Sequence, residues 1–146
     1  MFLADAIATE AVGRALARLV KPGDAIALSG PLGSGKTTLA RGLLAGLGLA
    51  GEAPSPSFAI VQPYGPPELH LPLWHVDLYR IEDPAEAAEL GFDELRDEVV
   101  LIVEWPERLG REHWSDALWL ELVAEGAGRR LTAQVPAAWE GRWPPR

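Results

Sequence analysis

Cysteine is absent from the 146 residues, which removes disulfides and thiolate metal sites from consideration. No apolar run approaches the ~18 residues that a membrane-spanning helix needs. The first residues lack the basic start and cleavage site of a secretory leader, so a cytoplasmic protein with no membrane association is expected. Positive charge is scarce. Lys and Arg number 13 against 21 Asp and Glu, and the net charge of −8 argues against tight unaided binding to nucleic acid, whose phosphates ask for a basic face. Three histidines, His70, His75 and His113, have neither cysteine partners nor the close helical spacing of a zinc site, so no transition-metal centre is expected. The length implies one domain, residues 1–146, able to bury a core but too short for a separate lid or helical domain.

What is present centres on Gly30 to Thr37, Gly-Pro-Leu-Gly-Ser-Gly-Lys-Thr, which fits Gly, four free positions, Gly-Lys and Ser or Thr. Glycine lets the backbone bend so that successive N–H groups converge on phosphate oxygens, while the helix that follows points its positive end at them. Leu32, Gly33, Ser34, Gly35, Lys36, Thr37 and Thr38 are therefore candidate ATP-binding residues. Lys36 meets the β- and γ-phosphates as a point charge, and the Thr37 hydroxyl is placed as a Mg²⁺ ligand. Context agrees, with the apolar run Ala25–Leu28 before the loop and leucines at helical spacing after it. Asparagine is also absent, so the Asn-Lys-x-Asp motif of guanine-selective proteins cannot occur, and adenine is favoured.

Along the chain, Asp5 to Val20 reads as an amphipathic helix with Ile7, Ala11, Ala15, Leu16, Leu19 and Val20 on its packed side. Its Thr9 could satisfy the helix or touch a base. Ser55-Pro56-Ser57-Phe58 is a loop whose hydroxyls can meet phosphate or water, followed by a strand over 58–61. A turn at 64–67 and a strand from Leu71 to Asp77 complete an antiparallel hairpin. The extension through Arg80 puts His75, Asp77 and Tyr79 on one face and Val76 and Leu78 on the other, with His75 structural or bonded to Asp77. A short helix at 84–90 precedes Val99-Val100-Leu101-Ile102-Val103-Glu104. That is a buried strand ending in a carboxylate that can act on Mg²⁺ or its waters, with Trp105 beside it. Segments 118–123 and 131–135 form a last hairpin, and residues 136–146, rich in Trp, Pro and Gly, are expected to be a loosely ordered tail.

Taken together, Gly30 to Thr37, Ser55-Pro56-Ser57-Phe58, His75-Val76-Asp77-Leu78-Tyr79-Arg80 and Glu104-Trp105-Pro106-Glu107 resemble the TsaE (YjeE) family of bacterial tRNA threonylcarbamoyladenosine biosynthesis ATPases. The resemblance extends from the N-terminal helix to about Glu107, and its His-x-Asp-x-Tyr-Arg and Glu-Trp elements are more specific than the phosphate loop. It implies a single α/β P-loop domain whose mixed sheet includes antiparallel hairpins, with helices on both faces. It implies a Mg²⁺-dependent ATPase, weak alone, that drives a complex with TsaB and TsaD. In that family TsaD transfers the threonylcarbamoyl group, and tRNA is met only indirectly, through the complex. Carried over, Lys36, Asp77 and Glu104 are catalytic, Thr37, Glu104 and Asp77 face the metal, and Ser57 and Arg130 join the ATP contacts. Two positions depart from the family pattern: Ser57 stands where Thr is usual, and Pro31 where an acidic residue is common.

Overall fold

The structure, a computed structural model, describes residues 1–51 and 61–145. The expectations for Ser55 to Phe58, including Ser57 as an ATP contact, lie outside the described residues. The elements run β1 (Phe2–Leu3), α1 (Ala6–Leu16), β2 (Ala25–Ser29), α2 (Lys36–Gly46), β3 (Val61–Tyr64), β4 (Leu73–Asp77), α3 (Pro84–Ala88), β5 (Val100–Glu104), β6 (Leu118–Glu125) and β7 (Gly128–Gln134). All seven strands join one sheet in the order β1-β7-β6-β2-β5-β4-β3. The inner strands β6, β2, β5 and β4 are parallel, and β3, β7 and β1 pair antiparallel at the two sides.

Parallel strands covered on both faces read as unbroken apolar runs, and β2 and β5 are buried at every position. Alternation then divides them. Ile26, Leu28, Val100 and Ile102 face α1 and α2, whereas Ala25, Ala27, Leu101 and Val103 pack with Phe92, Trp114 and Trp119 on the side that carries α3. Helices thus cover both faces, as the α/β reading required.

Two expectations are corrected. Helix α1 opens at Asp5, whose carboxylate accepts from the Ala8 N–H at 2.8 Å; of the expected packed side Leu16 and Val20 are buried and Leu19 packs on the core, but the first turns bury Thr9, Val12 and Gly13 in place of Ile7 and Ala11. Ile7 is 78% exposed, and Ala11 is exposed as well. The reason is that α1 meets α2 through glycine. A Cβ on Gly13 would lie 2.1 Å from the Leu39 carbonyl oxygen, and one on Gly42 would lie 2.2 Å from that of Glu10. A face chosen by apolar side chains alone misses a contact made by bare backbone. The second correction is the tail. Trp139 is wholly buried, and Arg142 donates to both carboxylate oxygens of Asp24 at 2.6 and 2.9 Å, so residues to 143 pack against the end of α1 and the start of β2. Aromatic burial and a bidentate ion pair order a segment whose composition reads as loose.

Candidate functional site

Strand β2 lies between β5 and β6, and the loop from Gly30 to Gly35 leaves its carboxyl end to enter α2. In an open parallel sheet this is where ligands gather, because loops from neighbouring strands part there. Register places the acidic residues beside it. Leu28 pairs with Glu104 across β2 and β5, and Glu104 pairs with Asp77 across β5 and β4, so both carboxylates emerge at the same sheet end. Gly30 is the bend that permits this: its φ is +138°, and a Cβ there would lie 2.2 Å from the carbonyl oxygen of Leu122.

Leu32, Gly33, Ser34, Gly35, Lys36, Thr37 and Thr38 line one cleft of about 420 Å³, together with Asp77 and Glu104. Thr37 Oγ1 donates to Glu104 Oε1 at 3.0 Å, and Glu104 Oε2 lies 2.7 Å from His75 Nε2. His75 therefore partners Glu104, not Asp77. Asp77 Oδ1 accepts instead from the Tyr79 N–H at 2.9 Å. The Lys36 ammonium donates to the carbonyls of Gly30 and Pro31, the latter at 3.2 Å, and sits 4.0 Å from the centre of the Trp105 ring. Trp105 has φ 60° and ψ 48°, the one left-handed non-glycine backbone among the described residues. That backbone brings its ring against Lys36, with Tyr79 packed 4.9 Å away.

Burial works on both charged groups. It lowers the Lys36 pKa from its ordinary 10.5, opposed by the nearby charges of Glu104, Glu107 and Asp77. It raises the Asp77 pKa from its ordinary 3.8, opposed by the Tyr79 N–H and reinforced by Glu104.

Arg130 is not brought to the cleft. It is exposed on β7 opposite Phe2, bonded to Glu125 at 2.8 Å. Its neighbour Arg129 lies on the opposite face of the strand, lines the cleft and donates to the carbonyls of Ser34 at 3.0 Å and Gly33 at 2.9 Å. Adjacent arginines on a strand point to opposite sides, so a one-residue choice of register decides which one reaches the loop. Thr9 also lines the cleft, and its hydroxyl donates to the Asp5 carbonyl at 3.3 Å, which satisfies the helix.

The donors present fit a phosphate-bound hard cation. Ser34 Oγ is buried in the loop without a partner among the described residues, and Thr37, Glu104 and Asp77 offer oxygen only. Among the described residues no group of three or more His, Cys, Asp or Glu could hold a metal alone. Mg²⁺ does not ask for one, since it takes one or two carboxylates and completes its shell with substrate phosphates and water.

A glycine-cornered loop joining a buried parallel strand to a helix, with a strand-end carboxylate bonded to the helix's first hydroxyl, defines a nucleotide-binding protein of the P-loop α/β class. Within that class the chain belongs to the TsaE family, whose model, described as "Threonylcarbamoyl adenosine biosynthesis protein TsaE", matches residues 3–131. Curated relatives carry the name tRNA threonylcarbamoyladenosine biosynthesis protein TsaE. That of Bacillus subtilis is 39% identical over 125 residues, covering 82% of this chain and 73% of its own length. That of Streptomyces coelicolor is 42% identical over 112 residues, covering 76% of each. A crystal structure of Bacillus subtilis YdiB superposes with a TM-score of 0.75 at 30% identity, over 91% of this chain and 82% of that one. Among the described residues no helix is long and apolar enough to cross a membrane.

Proposed function

We propose that this chain is the ATP-hydrolysing subunit of a bacterial tRNA N6-threonylcarbamoyladenosine modification machinery, working in the cytoplasm and driving the cycle of a TsaB–TsaD complex. The observation that carries the reading is the 3.0 Å bond between Thr37 and Glu104, which joins the phosphate loop to a carboxylate on the adjacent strand. In the proposed reaction the loop amides and Lys36 bind and orient the phosphates of ATP, and Arg129 braces the loop through the Gly33 and Ser34 carbonyls. Thr37, Glu104 and Asp77 would hold Mg²⁺, which when bound supplies charge neutralisation at the transferred phosphoryl group. Glu104 also organises the attacking water, and the Trp105 and Tyr79 rings wall one side of the site. Asparagine's absence supports ATP over GTP.

The test is Glu104→Gln. The amide keeps the shape and loses the charge, so nucleotide binding should persist while hydrolysis with TsaB and TsaD stops. Normal turnover by that variant would overturn the assignment. A second reading, a nucleotide sensor with negligible turnover, is favoured by one feature: Lys36 is already engaged by the Gly30 and Pro31 carbonyls and the Trp105 ring. Stoichiometric ATP binding without multiple turnover in the assembled complex would establish it.

A further inference from the structure

Among the described residues Glu104 has two side-chain partners, Thr37 at the start of α2 and His75 on β4. Its Oε1 accepts from Thr37 at 3.0 Å, and its Oε2 lies 3.3 Å from the same hydroxyl and 2.7 Å from Nε2 of His75. His75 is 1% exposed in the interior of β4, two residues before the Asp77 that pairs in register with Glu104. Its other ring nitrogen, Nδ1, is buried and has no hydrogen-bond partner among the described residues. A neutral imidazole carries one N–H and one bare nitrogen. A proton on Nδ1 would be a buried donor without an acceptor, whereas a proton on Nε2 meets a carboxylate oxygen at good hydrogen-bonding distance. The geometry therefore selects the Nε2–H tautomer, which donates to the Glu104 carboxylate.

The consequence concerns orientation. The terminal torsion of a glutamate is broad, and the Thr37 hydroxyl rotates freely about its own bond, so that pair alone does not define the carboxylate plane. The His75 ring is held in the sheet core and presents its N–H from a fixed direction. We propose that His75 is a positioning residue for Glu104: a buried imidazole whose Nε2–H holds Oε2 and so turns the carboxylate toward Thr37 and the cleft. The proposal rests on the ATPase reading above and extends it to a buried residue that does not line the cleft.

The experiment uses the full chain with three substitutions, His75→Gln, His75→Leu and Glu104→Gln. Gln places an amide N–H near the position of Nε2, and Leu removes the donor while filling the space. Two readouts are taken: kcat and KM for ATP in the assembled complex, and the protonated nitrogen of His75 from long-range ¹H–¹⁵N spectra of the isolated protein. His75→Leu should lower kcat about 10–100-fold, as loss of an outer-shell partner of a metal-site ligand does, with KM and ATP affinity within about threefold. His75→Gln should recover most of that loss. The spectra should show the proton on Nε2, with its resonance displaced in Glu104→Gln. Unchanged kcat in His75→Leu, a His75→Gln as slow as His75→Leu, or a proton on Nδ1 would each overturn the proposal. If His75→Leu does not fold, the tautomer and His75→Gln decide. A slow Glu104→Gln beside a fast His75→Leu overturns this inference alone, whereas a fast Glu104→Gln overturns the ATPase reading as well.

Discussion

Lys36 and Asp77 are both held against their solvation, and each gives a measurement. Truncating Lys36 to Ala removes the charge that meets the phosphates in the proposed reaction, and kcat should fall on the order of 10³-fold. Turnover within tenfold of the parent would contradict its role. For Asp77 the sign follows from burial, which raises its pKa in the folded state above the ordinary 3.8. Between those two values the folded protein holds the proton that the unfolded chain has released, so stability falls as pH rises through this window. Asp77→Asn keeps an oxygen for the Tyr79 N–H and has no charge to bury. In chelator-treated protein it should melt higher than the parent at pH 7, and the gain should fade as pH drops toward 4. Melting curves across that range check this, and a pH-independent difference would count against it.

At the level of elements, α1 and α2 meet through the bare backbone of Gly13 and Gly42. Gly42 has no space for a methyl group, since a Cβ would lie 2.2 Å from the Glu10 carbonyl oxygen, and both groups are backbone. Gly42→Ala gains ~1 kcal/mol of helix propensity but forces the helices apart, at a cost of about 1–3 kcal/mol or more. A net loss of stability in denaturant titration is expected, together with weaker ATP binding because Lys36 and Thr37 open the same helix. A more stable variant with unchanged affinity would show that the helices separate freely. Unbroken apolar runs made β2 and β5 legible, because strands covered on both faces need them. On α1 the packing of Leu16, Leu19 and Val20 was legible, but the burial of Thr9, Val12 and Gly13 in its first turns was not, because Gly13 and Gly42 contribute approach distance and not hydrophobicity.

For the whole molecule the net charge of −8 leaves tRNA repelled at long range, so the proposed function needs RNA held by other subunits and a protein interface here. Tyr79 and Arg80 are exposed at the mouth of the cleft, where they line the same cavity as Lys36 and Asp77. Arg80→Ala should weaken association with TsaB and TsaD about tenfold, the scale of a single interface side chain, and leave ATP affinity of the isolated chain nearly unchanged. A pull-down with and without ATP reads both partner and nucleotide dependence. Unaltered complex formation, or tight tRNA binding by the purified chain, would count against this arrangement.

By itself the sequence determined the phosphate loop, the strand before it and the helix after it, the acidic strand end at Glu104 and the family likeness, because these depend on local chemistry at fixed spacing: glycines that bend, a lysine, a hydroxyl and a run of buried aliphatics. Tertiary structure alone decided who meets whom. It seated His75 on Glu104 and not Asp77, brought Arg129 and not Arg130 to the loop, and folded Trp139 and Arg142 onto the core. Each of these outcomes turns on strand register or on a contact between residues distant in the chain. A one-residue change of register reverses the side on which every residue of a strand stands, and no local pattern records that choice.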